Sequence, residues 1–184
     1  ILAVRPEFAE AWSNRGIALK GLRRFEDALA SFARALEIRP DLADALSNRA
    51  ATYTAMRRYP EALADLDRAL AIEPLLADAH NNRGAALAAI RRHDDALACY
   101  DRALEIRPGY AGAQSNRAAA LLAQGRNEEA LRSCDRALEM VPDFAEALDN
   151  RGVALLALHR HAEALASLDR ALAAAPDLAE ALRD

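Results

Sequence analysis

Several residue types are scarce in this chain of 184 residues, and each shortage argues against a class of protein. The two cysteines, Cys99 and Cys134, fit neither a disulfide framework nor a metal-binding motif, so we expect reduced, buried thiols. The longest apolar runs, such as residues 118–123, are far shorter than the roughly 20 residues that cross a bilayer. Aromatic residues make up only 5% of the chain and do not interleave with basic ones, as base stacking would require. We therefore predict no membrane span and no nucleic-acid partner.

Charge and short motifs point away from catalysis. The net charge of −4 and the pI of about 5.6 give no general affinity for nucleic acid or anionic membranes. The sequence has no glycine-rich phosphate loop, nucleophile elbow or histidine–carboxylate metal motif. We therefore predict a chain that is not an enzyme, without catalytic residues, metal ligands or cofactor. No signal peptide is visible, so we expect a cytoplasmic protein, although Ile1 is not a natural start.

What the chain does have is a repeat of 34 residues, marked by prolines. These prolines are Pro6, Pro40, Pro74, Pro108, Pro142 and Pro176. A fixed period of this length indicates a stack of similar units, each of which buries its apolar face against its neighbours. Such a stack offers a long groove rather than a catalytic pocket. The sequence therefore predicts a protein-binding scaffold and does not identify the partner.

Each unit has the pattern of two helices. In the first unit, small and apolar residues recur at helical spacing in two stripes. The stripes are Trp12, Gly16 and Leu19, then Ala28, Phe32 and Ala35. Pro40 ends the second helix, since the residue before a proline is pushed out of the helical region. Pro60 falls in the first turn of a second helix, where its missing N–H costs nothing. We also expect aspartates to cap first helices, with an acid three residues later completing a capping box. The predicted boxes are Asp41 with Asp44, Asp143 with Glu146, and Asp177 with Glu180.

The run from Trp12 through Gly16, Phe32 and Ala35 to Pro40 resembles the tetratricopeptide repeat (TPR). The resemblance implies an all-α solenoid of antiparallel helix pairs, coiled as a right-handed superhelix. It covers five full repeats, 9–42, 43–76, 77–110, 111–144 and 145–178. Residues 1–8 would end a preceding repeat and residues 179–184 would begin a further first helix. We therefore expect one continuous array, cut from a longer repeat protein, whose uncapped ends are apolar.

Our strongest candidate for function is an asparagine ladder: Asn14, Asn48, Asn82, Asn116 and Asn150. At about 100° per residue, these asparagines point away from the buried stripe. In proteins similar to this one, that face lines the concave groove. An amide donates and accepts, so it can pair with a peptide backbone of any sequence. The ladder resembles that of the TPR domains of O-linked N-acetylglucosamine transferases, where asparagines hold acceptor polypeptides. The alternative is a local role, in which asparagine bonds between adjacent repeats or only tolerates solvent.

The same face carries two further sets of residues. Ile17, Ala51, Ala85, Ala119 and Val153 would form an apolar floor, with Asn48, Asn82 and Asn116 central. Glu10, Asp44, Asp78 and Glu146 lie near the helix starts, where the fourth repeat has Gly112 instead. These acids would favour a basic or neutral ligand. TPR domains that clamp a C-terminal carboxylate have lysines and arginines on this face, and their absence here argues against such a ligand. Alternatively, the acids only complement the helix dipole.

Arginines form two more sets. Arg15, Arg49, Arg83, Arg117 and Arg151 stand where the TPR family usually has leucine. A half-buried guanidinium needs an acceptor, so we predict pairs with Asp67, Asp101, Asp135 and Asp169 of the second helices; Ala33 takes the equivalent place in the first repeat. A basic edge follows the turns within repeats: Arg23, Arg24, Arg57, Arg58, Arg91, Arg92, Arg126 and Arg160, with His93, His159 and His161. We interpret it as a solvated edge that helps terminate first helices; an acidic partner or nucleic acid is the alternative.

The predicted function is therefore binding of an extended peptide or a partner helix in the concave groove, and two other functions compete with it. The chain could self-assemble into a homo-oligomer, with its uncapped ends stacked on one another or a neighbour's terminus filling the groove. It could also be the recruiting arm of a larger enzyme such as a glycosyltransferase. Fold alone does not choose between these functions.

Overall fold

The computed structural model describes residues 8–174, and this part of the chain consists of helices and short turns. The predicted all-α class is therefore confirmed. The described range contains ten helices in alternating first and second positions along the chain. They are α1 (Ala9–Gly21), α2 (Phe25–Ile38), α3 (Ala43–Ala55), α4 (Tyr59–Ile72), α5 (Ala77–Ala89), α6 (His93–Ile106), α7 (Ala111–Ala123), α8 (Asn127–Met140), α9 (Ala145–Ala157) and α10 (His161–Ala174). The odd-numbered helices are the predicted first helices, and the even-numbered ones are the second helices.

The chain divides into two compact units, Ile1–Arg91 and Arg92–Asp184. The first unit contains α1–α5 and the second contains α6–α10. Within each unit, a first helix packs most extensively on the second helix that follows it, as α1 does on α2 and α9 does on α10. First helices also contact each other, α1 with α3 and α3 with α5 in the first unit, and α7 with α9 in the second. This is the packing of a helix-pair solenoid.

Small residues bring the paired helices together, as predicted for the first pair. Gly16 of α1 lies against the ring of Phe32 in α2, where an added Cβ would come within 2.6 Å of a ring carbon. In the second unit, Gly152 of α9 lies equally close to the side chain of Leu168 in α10. Phe32 is fully buried and packs beside Leu19 and Ala28. Pro60 lies in the first turn of α4, which confirms its predicted place.

The capping prediction is wrong for the two described boxes. Helices α3 and α9 have Leu42 and Phe144 at their N-caps, without a side-chain capping bond, so Asp41 and Asp143 lie one residue too early. Apolar residues hold the N-cap of all five first helices in the described range: Phe8, Leu42, Leu76, Tyr110 and Phe144. Leu42 packs on the core of the first unit, and this contact fixes the helix start in place of a polar cap. Asp177, Glu180 and the predicted partial repeats at the two ends fall wholly or mostly outside the described residues.

The turn within each helix pair contains a residue in the left-handed region. These residues are Arg23, Arg57, Arg91, Gly125 and His159, with φ between 57° and 72°. The first turn shows the bonding, in which Arg24 N–H donates to Leu19 O and Arg23 N–H donates to Lys20 O, both at 2.9 Å. This is a Schellman motif, whose left-handed position usually holds glycine. Only Gly125 meets that preference among the described turns.

Candidate functional site

The asparagine ladder lies on first helices in both units. In the first unit, Asn14 of α1 is exposed, and Asn48 of α3 and Asn82 of α5 are half-buried. In the second unit, Asn116 of α7 and Asn150 of α9 are also half-buried. Each asparagine therefore occupies the same position of its helix, and the ladder remains at least partly accessible to solvent.

Two ladder asparagines make the same bond to the neighbouring first helix. Asn82 Nδ2 donates to Ser47 Oγ at 3.0 Å and to the Ser47 carbonyl at 3.4 Å, which ties α5 to α3. Asn150 Nδ2 donates to Ser115 Oγ and to the Ser115 carbonyl, both at 3.2 Å, which ties α9 to α7. The local role weighed in the sequence analysis is therefore real at these two positions. It employs only the nitrogen of each amide.

Asn48 behaves differently. Its Nδ2 donates to the Asp44 carbonyl of its own helix at 2.9 Å, although Ser13 stands 35 residues earlier, as Ser47 does from Asn82. Ser13 is itself buried. A bond to the i−4 carbonyl leaves the orientation of the amide independent of the neighbouring helix.

The apolar residues beside the ladder are accessible to different degrees. Ile17 is 41% exposed and Val153 is 43% exposed, which is unusual for β-branched apolar side chains on a helix. Ala119 is exposed, whereas Ala51 and Ala85 are half-buried. Each unit therefore presents apolar surface next to its asparagines.

The predicted acids lie in the first turns of their helices, where they complement the helix dipole: Glu10, Asp44, Asp78 and Glu146. Glu10 also forms a salt bridge of 2.7 Å with Arg39. Backbone hydrogen bonding and then the Arg39 charge lower the pKa of Glu10. Asp44 and Glu146 are exposed, so negative charge borders the ladder in both units.

Most of the predicted Arg–Asp pairs form, and serines that the sequence analysis did not single out complete them. In the second unit, Arg117 Nε donates to Asp101 of α6 at 2.6 Å, while its Nη1 donates to Ser133 of α8 at 2.7 Å. Arg151 repeats the arrangement with Asp135 and Ser167. In the first unit, Arg83 pairs with Asp67 at 3.0 Å. Asp169 has no such pair within residues 8–174.

Arg49 is an exception, because Ala33 occupies the place of the preceding aspartate. Arg49 instead makes two bonds to Asp65 of its own helix pair, at 2.6 and 2.7 Å. Asp65 stands where other repeats have Ser31, Ser133 and Ser167. The side chains are only 17% and 7% exposed, and the hydrogen bonds to Asp65 raise the pKa of Arg49 despite its burial. In this repeat, the arginine therefore pairs with an aspartate of its own second helix rather than of the preceding one.

The basic edge is largely paired with acids. The arginine before each second helix bonds an acid three residues later: Arg24 with Asp27, Arg58 with Glu61, Arg92 with Asp95, Arg126 with Glu129, and Arg160 with Glu163. His159 and His161 stack edge to face with centroids 6.0 Å apart. Within residues 8–174, no three histidine, cysteine or acidic side chains cluster as metal ligands would. The pairing favours the solvated edge over a surface for an acidic partner.

Other sequence predictions concern burial and membrane association. Cys99 and Cys134 are buried and form no disulfide, as predicted, and burial raises the pKa of Cys134 to about 12. No helix in the described part of the chain is both long enough and apolar enough to span a membrane.

Comparisons with known proteins agree with this geometry. Family models described as tetratricopeptide repeat match residues 7–74, 77–110 and 116–179. The solved structure of TTC0263, a thermophilic TPR protein in Thermus thermophilus, is 26% identical, with 95% of this chain and 96% of that one covered and a TM-score of 0.85. YrrB, described as a TPR protein with an unusual peptide-binding site, is 27% identical, with 99% and 94% covered and a TM-score of 0.66. The MamA protein, 19% identical with 95% and 96% covered and a TM-score of 0.70, shares the fold. No curated protein sequence matches the chain significantly.

Proposed function

Because the chain belongs to the tetratricopeptide repeat family, we propose that it is a protein-interaction scaffold whose first helices bind an extended peptide. The observation that carries this proposal is the asparagine ladder, an amide at one position of all five first helices. The description of YrrB, a similar solved protein, as a peptide-binding TPR protein supports it.

At two ladder positions, the bonds to serine leave half of the amide for a ligand. Asn82 and Asn150 donate through Nδ2 to a serine, and their Oδ1 atoms have no hydrogen-bond partner within residues 8–174. The serine bond holds the amide in one orientation, so that Oδ1 is prepared to accept from a peptide N–H. Each such bond would contribute about 1 kcal/mol net. The local role and the ligand role are therefore compatible in the same side chain.

The surroundings of the ladder favour a particular kind of peptide. Ile17 in the first unit and Val153 in the second offer exposed apolar contact. Asp44 and Glu146 add negative charge near the helix starts, which repels carboxylates and attracts basic side chains. A neutral or basic peptide with apolar side chains meets both conditions, and a C-terminal carboxylate does not.

A peptide-library screen tests the proposal, with the chain and an Asn48→Ala/Asn82→Ala/Asn116→Ala variant compared side by side. We expect peptides that bind the chain and lose at least about tenfold in affinity for the variant, because two to three hydrogen bonds disappear. Circular dichroism and the melting temperature must show that the variant stays folded. Equal binding by both proteins, or no binding by the unmodified chain, would contradict the ladder as the peptide grip.

A matched control separates the ligand role from the structural one. Ser47→Ala removes the partner of Asn82 and keeps the asparagine itself. If the ladder binds peptide directly, Asn82→Ala weakens binding more than Ser47→Ala does. Equal losses from both substitutions would show that only the link between α3 and α5 matters.

A further inference from the structure

A cavity of about 400 Å³ opens within the second unit, on a different side of α7 from the ladder. Its lining comes from Asp101, Leu104 and Glu105 of α6, Gln114 and Arg117 of α7, and Arg136 of α8. Gln114 precedes Asn116 by two residues, so their side chains leave α7 about 200° apart. A ligand in this cavity and a peptide on the ladder would therefore not compete for the same side chains.

Gln114 differs from its equivalents in the other described first helices because it combines a polar side chain with nearly complete burial. It is only 5% exposed, and its enclosed Oε1 atom has no hydrogen-bond partner. Leu46 and Leu148 occupy the equivalent positions of α3 and α9 and are fully buried, whereas Trp12 of α1 and His80 of α5 are half-buried and His80 bonds to the Pro74 carbonyl. Buried polar atoms are almost always hydrogen-bonded, so an unpaired one calls for an explanation. Packing alone favours leucine here, and the amide therefore indicates a role other than packing.

Arg136 supplies an unopposed charge at the same cavity. Of the four other arginines at equivalent positions, Arg34 pairs with Glu37, Arg102 pairs with Glu105, and Arg170 donates to the Pro142 carbonyl and to Asp143; Arg68, which does not line this cavity, is unpaired within residues 8–174. Arg136 has no ion pair or hydrogen bond within residues 8–174. The acids of the lining are already engaged, Asp101 by Arg117 and Glu105 by Arg102. The charge left for a ligand is therefore positive.

We propose that this cavity binds an acidic side chain of a partner polypeptide. The Arg136 guanidinium donates to the carboxylate, and Leu104 contacts the methylene groups that carry it. The Gln114 amide pairs with the adjoining peptide group, since rotation of the amide presents either its donor or its acceptor. The site lies wholly in the second unit and is independent of peptide binding on the ladder.

Nuclear magnetic resonance of the full ¹⁵N-labelled chain tests the proposal with small probes. The probes are the N-acetyl N-methylamides of aspartate, glutamate and asparagine, with N-acetylalanine as a model of a chain terminus. We expect an acidic amide to shift the Gln114 side-chain NH₂ and Arg136 Nε–H signals saturably, with a dissociation constant on the order of millimolar. The asparagine probe and N-acetylalanine should shift them at least several-fold less.

Three variants complete the test. Gln114→Leu copies the residue of α9, so we expect it to fold with an equal or higher melting temperature, while the Arg136 Nε–H signal no longer shifts with an acidic probe. In Arg136→Ala, the Gln114 NH₂ signal should likewise no longer shift. Arg170→Ala, the matched control in α10, should keep both shifts. A response that persists in Gln114→Leu or Arg136→Ala would overturn the proposal, as would no response to either acidic probe. An equal response to the asparagine probe, or a stronger one to N-acetylalanine, would do the same.

Discussion

Arg49 of the first unit is held in a different way from Arg117 and Arg151 of the second unit. In the second unit, Arg117 and Arg151 each bridge a carboxylate on the preceding second helix and a serine on the following one. In the first unit, Arg49 has no preceding carboxylate and makes both of its bonds to Asp65. One bridge therefore joins neighbouring repeats, and the other joins only the two helices of one repeat.

The difference shows what the repeat requires at this position. The carboxylate that pairs with Arg151 is 48% exposed at Asp135, whereas Asp65 is only 7% exposed. An exposed ion pair contributes little, but a buried charge that loses its partner is costly. The acid can therefore stand on the preceding second helix or on the second helix of the same repeat. What the repeat requires is an acceptor for the half-buried guanidinium.

The largest expected effect on stability comes from replacing Asp65, with the replacement of Asp135 as the comparison. Asp65→Ala leaves Arg49 buried without a counter-charge and should lower the free energy of unfolding by about 3–5 kcal/mol. Asp135→Ala should cost about 1 kcal/mol or less, because the Asp135 carboxylate is 48% exposed and Arg151 keeps its bond to Ser167. Urea unfolding of both variants measures the difference. Equal losses would contradict the distinction between the two bridges.

A double substitution sharpens the same comparison. Ala33→Asp with Asp65→Ser gives the first unit the acceptors that surround Arg117 and Arg151. We expect this variant to recover most of the stability that Asp65→Ala loses. A double variant no more stable than Asp65→Ala would show that the Asp–Ser arrangement of the second unit cannot replace the buried Arg49–Asp65 pair.

The second comparison concerns the close contacts within helix pairs, Gly16 with Phe32 in the first unit and Gly152 with Leu168 in the second. A methyl group at either glycine overlaps its neighbour, and overpacking typically costs about 1–3 kcal/mol. Phe32 is fully buried, while Leu168 is only half-buried and has room to move. Gly16→Ala should therefore lower the melting temperature more than Gly152→Ala.

Gly21→Ala is the control for these two variants. Its added Cβ meets nothing within 4 Å, and alanine is the better helix former, so this substitution should be neutral or slightly stabilising. If Gly16→Ala proved as harmless as Gly21→Ala, the pairing of α1 with α2 would not depend on the small residue.

The sequence sufficed to predict the helices and much of their packing, because both follow from local patterns. The stripe from Trp12 to Ala35 predicts the first pair, and the ring of Phe32 does meet Gly16. The cap prediction was wrong, because the same local spacing fits two registers one residue apart. The apolar contact of Leu42 with the core decides between the registers, and that contact is tertiary.

The candidate site was less predictable, because its bonds join residues far apart in the sequence. The facing direction of the asparagine ladder follows from helix geometry, but the serine partners of Asn82 and Asn150 lie 35 residues earlier. Recurring serines at 47 and 115 were the available signal. The pairing of Arg49 with Asp65 also left a signal in the sequence. Ala33 stands where the other repeats have an aspartate, and Asp65 stands where several have a serine.

The smallest expected effect concerns the turns within helix pairs, where Arg57 of the first unit and Gly125 of the second share a left-handed conformation, with φ of 59° and 72°. A side chain disfavours this conformation by roughly 1 kcal/mol. Arg57→Gly should therefore raise the free energy of unfolding by up to about 1 kcal/mol, and Gly125→Ala should lower it by a similar amount. Arg57→Ala keeps the strain while removing the guanidinium, so it should leave stability nearly unchanged. If Arg57→Gly were no more stable than Arg57→Ala, the turn at residue 57 would carry no backbone strain for glycine to relieve. The backbone preference would then not explain why one turn has glycine.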